Sequence, residues 1–158
     1  MTVYINAISG LTPFGDLEDT WKAITNDEVC YGPLTKFPHD KSIRSKVSGE
    51  VKFNAENHPI ITEREQDKMP SYMQWALSSA DKLLHKQDLE KDRTGVLVST
   101  ALSMYNESLR ASENKNANTY TFTPNLISNN INIKYGFTGP STMLSSACST
   151  GLYSIIMG

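Results

Sequence analysis

Hydrophobic and polar residues near the start of the chain predict a strand, a loop and a helix. Residues 3–8 are rich in β-prone side chains and end at the turn signals Ser9-Gly10 and Thr12-Pro13. Apolar residues then recur at helical spacing, at positions 17, 21 and 24. Asp16 precedes them, and acidic residues at this point favour the positive N-terminus of a helix.

The middle of the chain contains the clearest helical pattern. Residues 26–45 include two prolines and show no period, which predicts an irregular surface segment, and residues 46–51 form a candidate short strand. Residues 70–85 predict a helix that begins at Pro70, a residue tolerated in a first turn. The apolar residues that recur on one side of this helix are Tyr72, Trp75, Ala76, Leu83 and Leu84.

The last third of the chain alternates between strand and helix patterns. Residues 94–100 have an uninterrupted apolar centre, which is typical of a strand buried on both faces of a sheet. A polar, asparagine-rich stretch at 112–121 predicts a loop, and a helix is predicted at 125–135 with Gly136 as its left-handed cap. Residues 141–146 form a second candidate buried strand, which runs directly into Ala147-Cys148-Ser149 and an apolar tail.

Strands that alternate with helices predict an α/β protein built around a layered sheet. A chain of 158 residues suits one domain or one half of a larger two-fold enzyme. The apolar tail at 152–158 has the pattern of a core helix that stops after about two turns. We therefore expect the chain to be incomplete at its C-terminal end.

Composition narrows the classes of function. Hydrophobic residues make up 39% and charged residues 20%, as in an ordinary globular protein. The net charge is −2, and basic residues are scattered among acidic ones. The sequence therefore shows no cluster of Lys and Arg of the kind that binds nucleic acid. No stretch reaches the ~20 apolar residues of a membrane helix, and the N-terminus does not have the pattern of a signal peptide. A cytoplasmic protein is expected.

The cysteines and histidines do not have the spacing of metal ligands. Cys30 and Cys148 form no C-x-x-C pair, and the three histidines are scattered through polar surroundings. These histidines are His39, His58 and His85. No metal site is predicted, and two cysteines in a chain of this size favour a reducing compartment.

Cys148 has the sequence setting of a nucleophile, because it follows a predicted strand and precedes a predicted helix. A helix N-terminus stabilises a thiolate through its partial positive charge and unpaired N–H groups. The same N–H groups can bind an oxyanion during acyl transfer, and small neighbouring residues leave room for a substrate. The alternative is that Cys148 is a small buried hydrophobe, the commoner role of free cysteine. Cys30 lies in a loop-like stretch and is interpreted as structural or incidental.

The segment Ser146-Ala147-Cys148-Ser149-Thr150-Gly151 resembles the active-site motif of condensing enzymes, the β-ketoacyl–carrier-protein synthases. Other segments resemble the same family in order and approximate spacing, so the resemblance covers essentially all 158 residues. They lie at 11–15, 61–76, 95–98, 124–125 and 133–141.

The resemblance implies a thiolase-like fold, in which two similar α/β halves form a five-layered sandwich. Residues 1–158 would be nearly the first half, an N-terminal domain truncated at its C-terminal end. It implies a decarboxylative Claisen condensation in which Cys148 accepts the acyl group and its backbone N–H is one oxyanion donor. The family's two catalytic histidines lie in the second half, and the three histidines here match neither. The isolated chain is therefore not expected to complete the reaction.

The resemblance also implies the partners of the chain. Its substrates would be carried on the phosphopantetheine arm of an acyl carrier protein, with no separate cofactor. A homodimer, or a heterodimer with a ketosynthase or chain-length-factor subunit, would form through the strand at residues 141–146. The retained Cys148 favours the catalytic subunit type, because chain-length factors replace this cysteine.

The chain departs from the family pattern at three places. Pro70 stands where an aspartate is usual, residues 99–104 replace a glycine-rich stretch, and the loop at 105–121 is shorter. Acyl chain length therefore stays open, as does the choice between fatty-acid and polyketide or polyene synthesis. Two alternatives stay open as well. One is a non-catalytic scaffold derived from a ketosynthase, and the other is a degradative thiolase, whose cysteine lies earlier in a different motif.

Overall fold

A computed structural model of the protein describes residues 2–36, 44–101 and 125–158. The chain divides into two compact units, Met1–Asn54 and Ala55–Gly158. The loop predicted at 112–121 lies outside the described residues.

A capped helix organises the first unit. Two backbone hydrogen bonds of 2.8 and 3.0 Å between Thr12 and Gly15 close a turn immediately before α1, which is Leu17–Thr25. The Asp16 carboxylate accepts hydrogen bonds from Glu18 N and Asp19 N at 3.0 and 3.1 Å. It therefore satisfies two N–H groups that a helix N-terminus leaves unpaired. The predicted turn and helix are confirmed.

The strand predicted at residues 3–8 is wrong. The chain has no strand there, and its large side chains are 74–78% exposed. Within the described residues, no neighbouring strand pairs with this segment. Because an unpaired strand leaves its N–H and C=O groups without partners, β-propensity alone does not produce one.

A two-residue ladder completes the first unit. Strand β1, Gly32–Pro33, pairs antiparallel with β2, Val47–Ser48. The short strand predicted at 46–51 is confirmed, whereas β1 lies in a segment that was predicted to be irregular. Glu50 accepts hydrogen bonds from the hydroxyl and backbone N–H of Thr35 and from the backbone N–H of Lys36. These bonds, led by that from the Thr35 hydroxyl, lower the pKa of the Glu50 carboxyl to about 2.

A parallel strand pair forms the sheet of the second unit. Strand β3, Val96–Ser99, pairs with β4, Ser141–Leu144, from Val96 opposite Ser141 to Ser99 opposite Leu144. The helices before β3 are α2, Glu63–Lys68, and α3, Ser71–Leu84. Helix α4, Leu126–Tyr135, lies between the two strands in the chain, where parallel strands require a crossover. It ends at Gly136, whose φ of 70° is left-handed, so the predicted helix and cap are confirmed.

Two serines show that the sheet is covered on both faces. The Ser141 hydroxyl donates to Ser128 Oγ of α4 at 2.9 Å. The Ser99 hydroxyl donates to Ser154 Oγ of α5, Thr150–Met157, at 3.0 Å. Side chains alternate along a strand, and Ser99 is paired three residues beyond Ser141 on β4, so the two helices lie on opposite faces. With α3 packed on α4, the order of layers is α3, α4, sheet, α5.

The core of the second unit lies mainly between α3 and α4. Its buried apolar residues are Ile61, Met73, Leu77, Ile127, Ile131 and Phe137, and Leu77 is fully enclosed. The helix predicted at 70–85 is confirmed. Its most buried side is that of Met73 and Leu77, whereas the apolar residues singled out from the sequence are half-buried.

Burial of the strands is less complete than the sequence predicted. Both strands are confirmed in position, yet β3 is half-buried throughout and Thr142 of β4 is exposed. In the part of the chain that the structure describes, the sheet has two strands, so each strand has one edge without a neighbour. An apolar run predicts a strand, but the number of its neighbours decides how far it is buried.

Polar contacts join the helices at the rim of this core. Lys134 of α4 forms an ion pair with Glu65 of α2 at 2.8 Å, and Tyr135 donates a hydrogen bond to Asp81 of α3. Burial is the main cause that raises the pKa of the Tyr135 hydroxyl, and the bond to Asp81 raises it further. These contacts fix α4 against the helices that precede it.

The enclosed leucine gives a prediction for stability. Leu77→Ala is expected to lower the free energy of unfolding by about 3 kcal/mol, because it leaves a cavity between α3 and α4. The matched control is Ile133→Ala on α4, where the side chain is 77% exposed, and its effect is expected to stay below about 0.5 kcal/mol. Urea denaturation of both variants is the measurement. Equal losses would contradict this description of the core.

His58 gives a prediction for pH dependence. Its Nδ1 atom lies 2.8 Å from the hydroxyl of Ser78, which is 2% exposed. Burial lowers the pKa of His58, and Lys82 lowers it further. The unfolded chain therefore binds the proton more readily, so the stability contributed by neutral His58 is present above about pH 6.5 and is lost as the pH falls below it.

We expect the urea midpoint to fall between about pH 7.5 and pH 5.5, and to fall less in His58→Gln. Glutamine keeps a polar side chain at this position but does not titrate in that range. An equal fall in both proteins would show that His58 is not responsible.

Candidate active site

The sequence brings Cys148 to the point where the sheet ends and the last described helix begins. Strand β4 ends at Leu144, a 3₁₀ turn spans Ala147–Ser149, and α5 starts at Thr150. Cys148 is the middle residue of that turn. The predicted order of strand, cysteine and helix is therefore observed, with a tight turn in place of a direct entry into the helix.

The residue before the cysteine has an unusual backbone conformation. Ala147 has a φ of 50°, in the left-handed region that residues other than glycine rarely adopt. This conformation costs an L-residue about 1–2 kcal/mol. Ala147 stands directly before Cys148, whose side chain is exposed.

Hydrogen bonds from two side chains close the turn. The backbone N–H of Ser146 donates to Thr150 Oγ1 at 2.8 Å, and the Thr150 hydroxyl donates to the carbonyl of Ala147 at 2.7 Å. Ser149 adds a bond from its hydroxyl to the carbonyl of Ser146 at 2.9 Å. Thr150 is 6% exposed, so its bonds are shielded from water. The backbone on both sides of Cys148 is therefore fixed by neighbouring side chains.

The side chain of Cys148 is accessible to molecules in solution. Its side chain is exposed, and its thiol is not in a disulfide. Among the described residues, no hydrogen bond is donated by the Cys148 backbone N–H. A thiol beside an unpaired N–H at the start of a helix can attack a carbonyl and bind the oxyanion that forms. The local geometry therefore suits acyl transfer.

Helix α5 contributes polar side chains to the contacts around this site. Most of the large apolar side chains of α5 are exposed. Thr150 is buried and Ser154 contacts β3, whereas five large side chains of the helix are 52–71% exposed. These are Leu152, Tyr153, Ile155, Ile156 and Met157. Across the described ranges, no helix combines the length and the apolar character required to cross a bilayer.

The other candidate residues lie elsewhere. Cys30 is half-buried in the first unit, where its sulfur lies near Gly49. His58 contacts Ser78, His85 caps the end of α3, and His39 lies outside the described residues. Within residues 2–36, 44–101 and 125–158, no group of three or more His, Cys, Asp or Glu side chains could hold a metal ion.

A cleft of about 350 Å³ opens beside α2, α3 and α4, at a place distinct from the cysteine turn. Its lining is part apolar and part charged, and Cys148 does not belong to it. The lining residues are Arg64, Glu65, Lys68, Met69, Pro70, Met73, Leu126 and Asn130. Pro70, which departs from the family pattern, thus lies in the wall of a cleft.

Comparison with known proteins identifies the family of the chain. The chain matches the family described as beta-ketoacyl synthase, N-terminal domain, over residues 1–158. It is 26% identical to a 3-oxoacyl-[acyl-carrier-protein] synthase homolog of Saccharomyces cerevisiae, with 97% of this chain and 43% of that protein covered. It is 25% identical to 3-oxoacyl-[acyl-carrier-protein] synthase 2 of Vibrio cholerae, with 97% and 40% covered. The chain thus spans about two fifths of the length of these curated relatives.

The comparisons define the class of protein to which the chain belongs. The chain belongs to the β-ketoacyl synthase family, as its N-terminal domain. That domain has the thiolase-like fold, so the predicted α/β class and the resemblance to this family are confirmed.

Two contributors to the turn were not identified from the sequence. Thr150 was noted only as a small neighbour of Cys148, although threonine at a helix start is a recognised source of side-chain hydrogen bonds to the backbone. Nothing in the sequence indicated the left-handed Ala147, because alanine has no preference for that conformation.

The exposure of Cys148 gives a prediction for labelling. Iodoacetamide at neutral pH is expected to modify Cys148 about tenfold faster than Cys30, because one thiol is exposed and the other is half-buried. Peptide mapping by mass spectrometry follows both sites. Cys30→Ala should keep the fast phase, and Cys148→Ala should lose it. Preferential labelling of Cys30 would contradict the exposure described here.

Proposed function

We propose that this chain is the N-terminal part of an elongating β-ketoacyl–carrier-protein synthase and that Cys148 is its acyl-accepting nucleophile. The observation that carries the proposal is the exposed thiol in a closed turn between β4 and α5, in a chain of this family. Covalent catalysis divides a difficult acyl transfer into two easier steps.

In the first step the Cys148 sulfur attacks the carbonyl of an acyl thioester on a phosphopantetheine arm. A new carbon–sulfur bond forms, the original one breaks, and the phosphopantetheine thiol leaves with the proton of Cys148. The backbone N–H of Cys148 stabilises the intermediate oxyanion. The product of this step is an acyl group held on Cys148.

In the second step the whole enzyme transfers that acyl group to carbon. A malonyl thioester loses carbon dioxide, and the resulting carbanion attacks the carbonyl of the Cys148 thioester. The carbon–sulfur bond to Cys148 breaks, which leaves a β-ketoacyl thioester on the carrier and releases a thiolate that takes a proton from water to restore the Cys148 thiol. Among the described histidines, His58 and His85 are not assigned to this step, because neither stands in a motif of the family.

The proposed partner is an acyl carrier protein, and no separate cofactor is required. An exposed nucleophile suits a substrate that is delivered on the flexible arm of another protein. The V. cholerae relative is named as a synthase acting with acyl carrier protein, which favours the same carrier here. A second ketosynthase-type chain is proposed to add to the edge of β4 that has no partner among the described strands. The proposed location is the cytoplasm.

The test is intact-mass spectrometry of the chain after incubation with an acyl–carrier protein. The expected result is a mass increase equal to one acyl group, retained in Cys30→Ala and absent from Cys148→Ala. Protein shown to be folded by circular dichroism that gains no acyl group would contradict the proposal. That outcome would favour the alternative, a non-catalytic scaffold derived from a ketosynthase.

A further inference from the structure

The hydroxyl group of Thr150 connects the backbone on the two sides of the cysteine turn. It accepts a hydrogen bond from the N–H of Ser146 at 2.8 Å and donates one to the carbonyl of Ala147 at 2.7 Å. Thr150 is 6% exposed, whereas Cys148 beside it is exposed. A single buried hydroxyl thus uses both its acceptor and its donor capacity to hold two consecutive residues.

The residue held by this hydroxyl is the one with the strained backbone. Ala147, at a φ of 50°, would adopt an ordinary negative φ if nothing opposed the change. Strained conformations persist where surrounding contacts determine them, and they are common at functional sites. The Ala147 carbonyl accepts two hydrogen bonds from Thr150, one from its backbone N–H and one from its hydroxyl, and the hydroxyl bond is the one that a side-chain substitution removes.

We infer that Thr150 is a positioning residue, whose hydroxyl holds Ala147 in the left-handed conformation and thereby aims the backbone N–H of Cys148 at the reacting carbonyl. The inference deepens the proposed function and rests on it. The link is covalent, because the N–H of Cys148 belongs to the peptide group that begins at the Ala147 carbonyl carbon. A rotation of that peptide would redirect the N–H while leaving the thiol at the surface.

Two reactions of the same thiol separate positioning from accessibility. Alkylation by iodoacetamide forms no oxyanion, so it depends on exposure of the thiol and on the amount of thiolate. Acyl transfer forms an oxyanion and depends also on the direction of the N–H. The ratio of the acylation rate to the alkylation rate therefore removes the contributions of thiol exposure and thiolate amount, which the two reactions share.

The experiment compares the full chain with Thr150→Val, which loses the hydroxyl at constant shape, and with Thr150→Ser, which keeps it. The matched control is Thr25→Val, the same substitution at an exposed position of α1, where the hydroxyl also donates to a backbone carbonyl. Acylation from an acyl–carrier protein and alkylation by iodoacetamide are timed by intact mass. Hydrogen exchange of the Ser146 amide is measured by NMR on the same proteins.

In Thr150→Val we expect the ratio of acylation to alkylation to fall about tenfold, with alkylation within about twofold of the original chain. Exchange of the Ser146 amide should accelerate about tenfold, because that N–H loses its acceptor. Thr150→Ser should restore both values, and Thr25→Val should leave both unchanged.

Two outcomes would overturn the inference. One is an unchanged ratio in Thr150→Val, whether or not both rates fall together, and the other is unchanged exchange at Ser146. Failure of the proposed function has a different signature, since the original chain would then take no acyl group. Accelerated exchange in Thr150→Val under those conditions would still support the part of the inference that concerns the hydrogen bonds of the turn.

Discussion

The parallel pairing of β3 with β4 is the constraint on which the rest of the second unit depends. Its register places Ser141 against α4 and Ser99 against α5, so one short ladder fixes a helix on each face of the sheet. The ladder also fixes where β4 ends, and therefore where the chain must turn. Cys148 lies at the carboxyl end of this parallel sheet, the edge at which α/β proteins commonly bind their ligands.

The candidate site lies in the turn after β4, which holds Cys148. A short turn that contains the left-handed Ala147 joins the end of β4 to the start of α5. The buried Thr150 compensates for the strain with two hydrogen bonds, and Cys148 is left at the outside of the turn. Within residues 147–150, the backbone of Ala147 is strained, Cys148 is exposed and Thr150 is buried. An accessible nucleophile beside a fixed N–H requires this arrangement.

The sequence correctly predicted the features that depend on interactions between residues close together in the chain. The helix start at Asp16, the period of residues 70–85 and the left-handed Gly136 act over one or two turns, and all three are observed. The strand predicted at 3–8 failed because a strand needs a partner that may lie anywhere in the chain. The burial of β3 was overestimated for the same reason, since it depends on neighbouring strands.

The candidate site, like the fold, was predicted in part: the cysteine was identified from the sequence, but the geometry of its turn was not. Cys148 was identified because a cysteine between a strand and a helix has a local chemical rationale, and the family match gives that position a context. The left-handed Ala147 and the two bonds of Thr150 depend on the path of the chain between β4 and α5. Their geometry therefore required the structure.

The most direct test of the account is a crystal structure of the chain carrying an acyl group. The account predicts a thioester on Cys148 with its carbonyl oxygen within hydrogen-bond distance of the Cys148 backbone N–H. Ala147 should keep its positive φ, and the Thr150 hydroxyl should keep both of its bonds. An acyl group on Cys30, or a carbonyl oxygen directed away from that N–H with Ala147 at a negative φ, would contradict it.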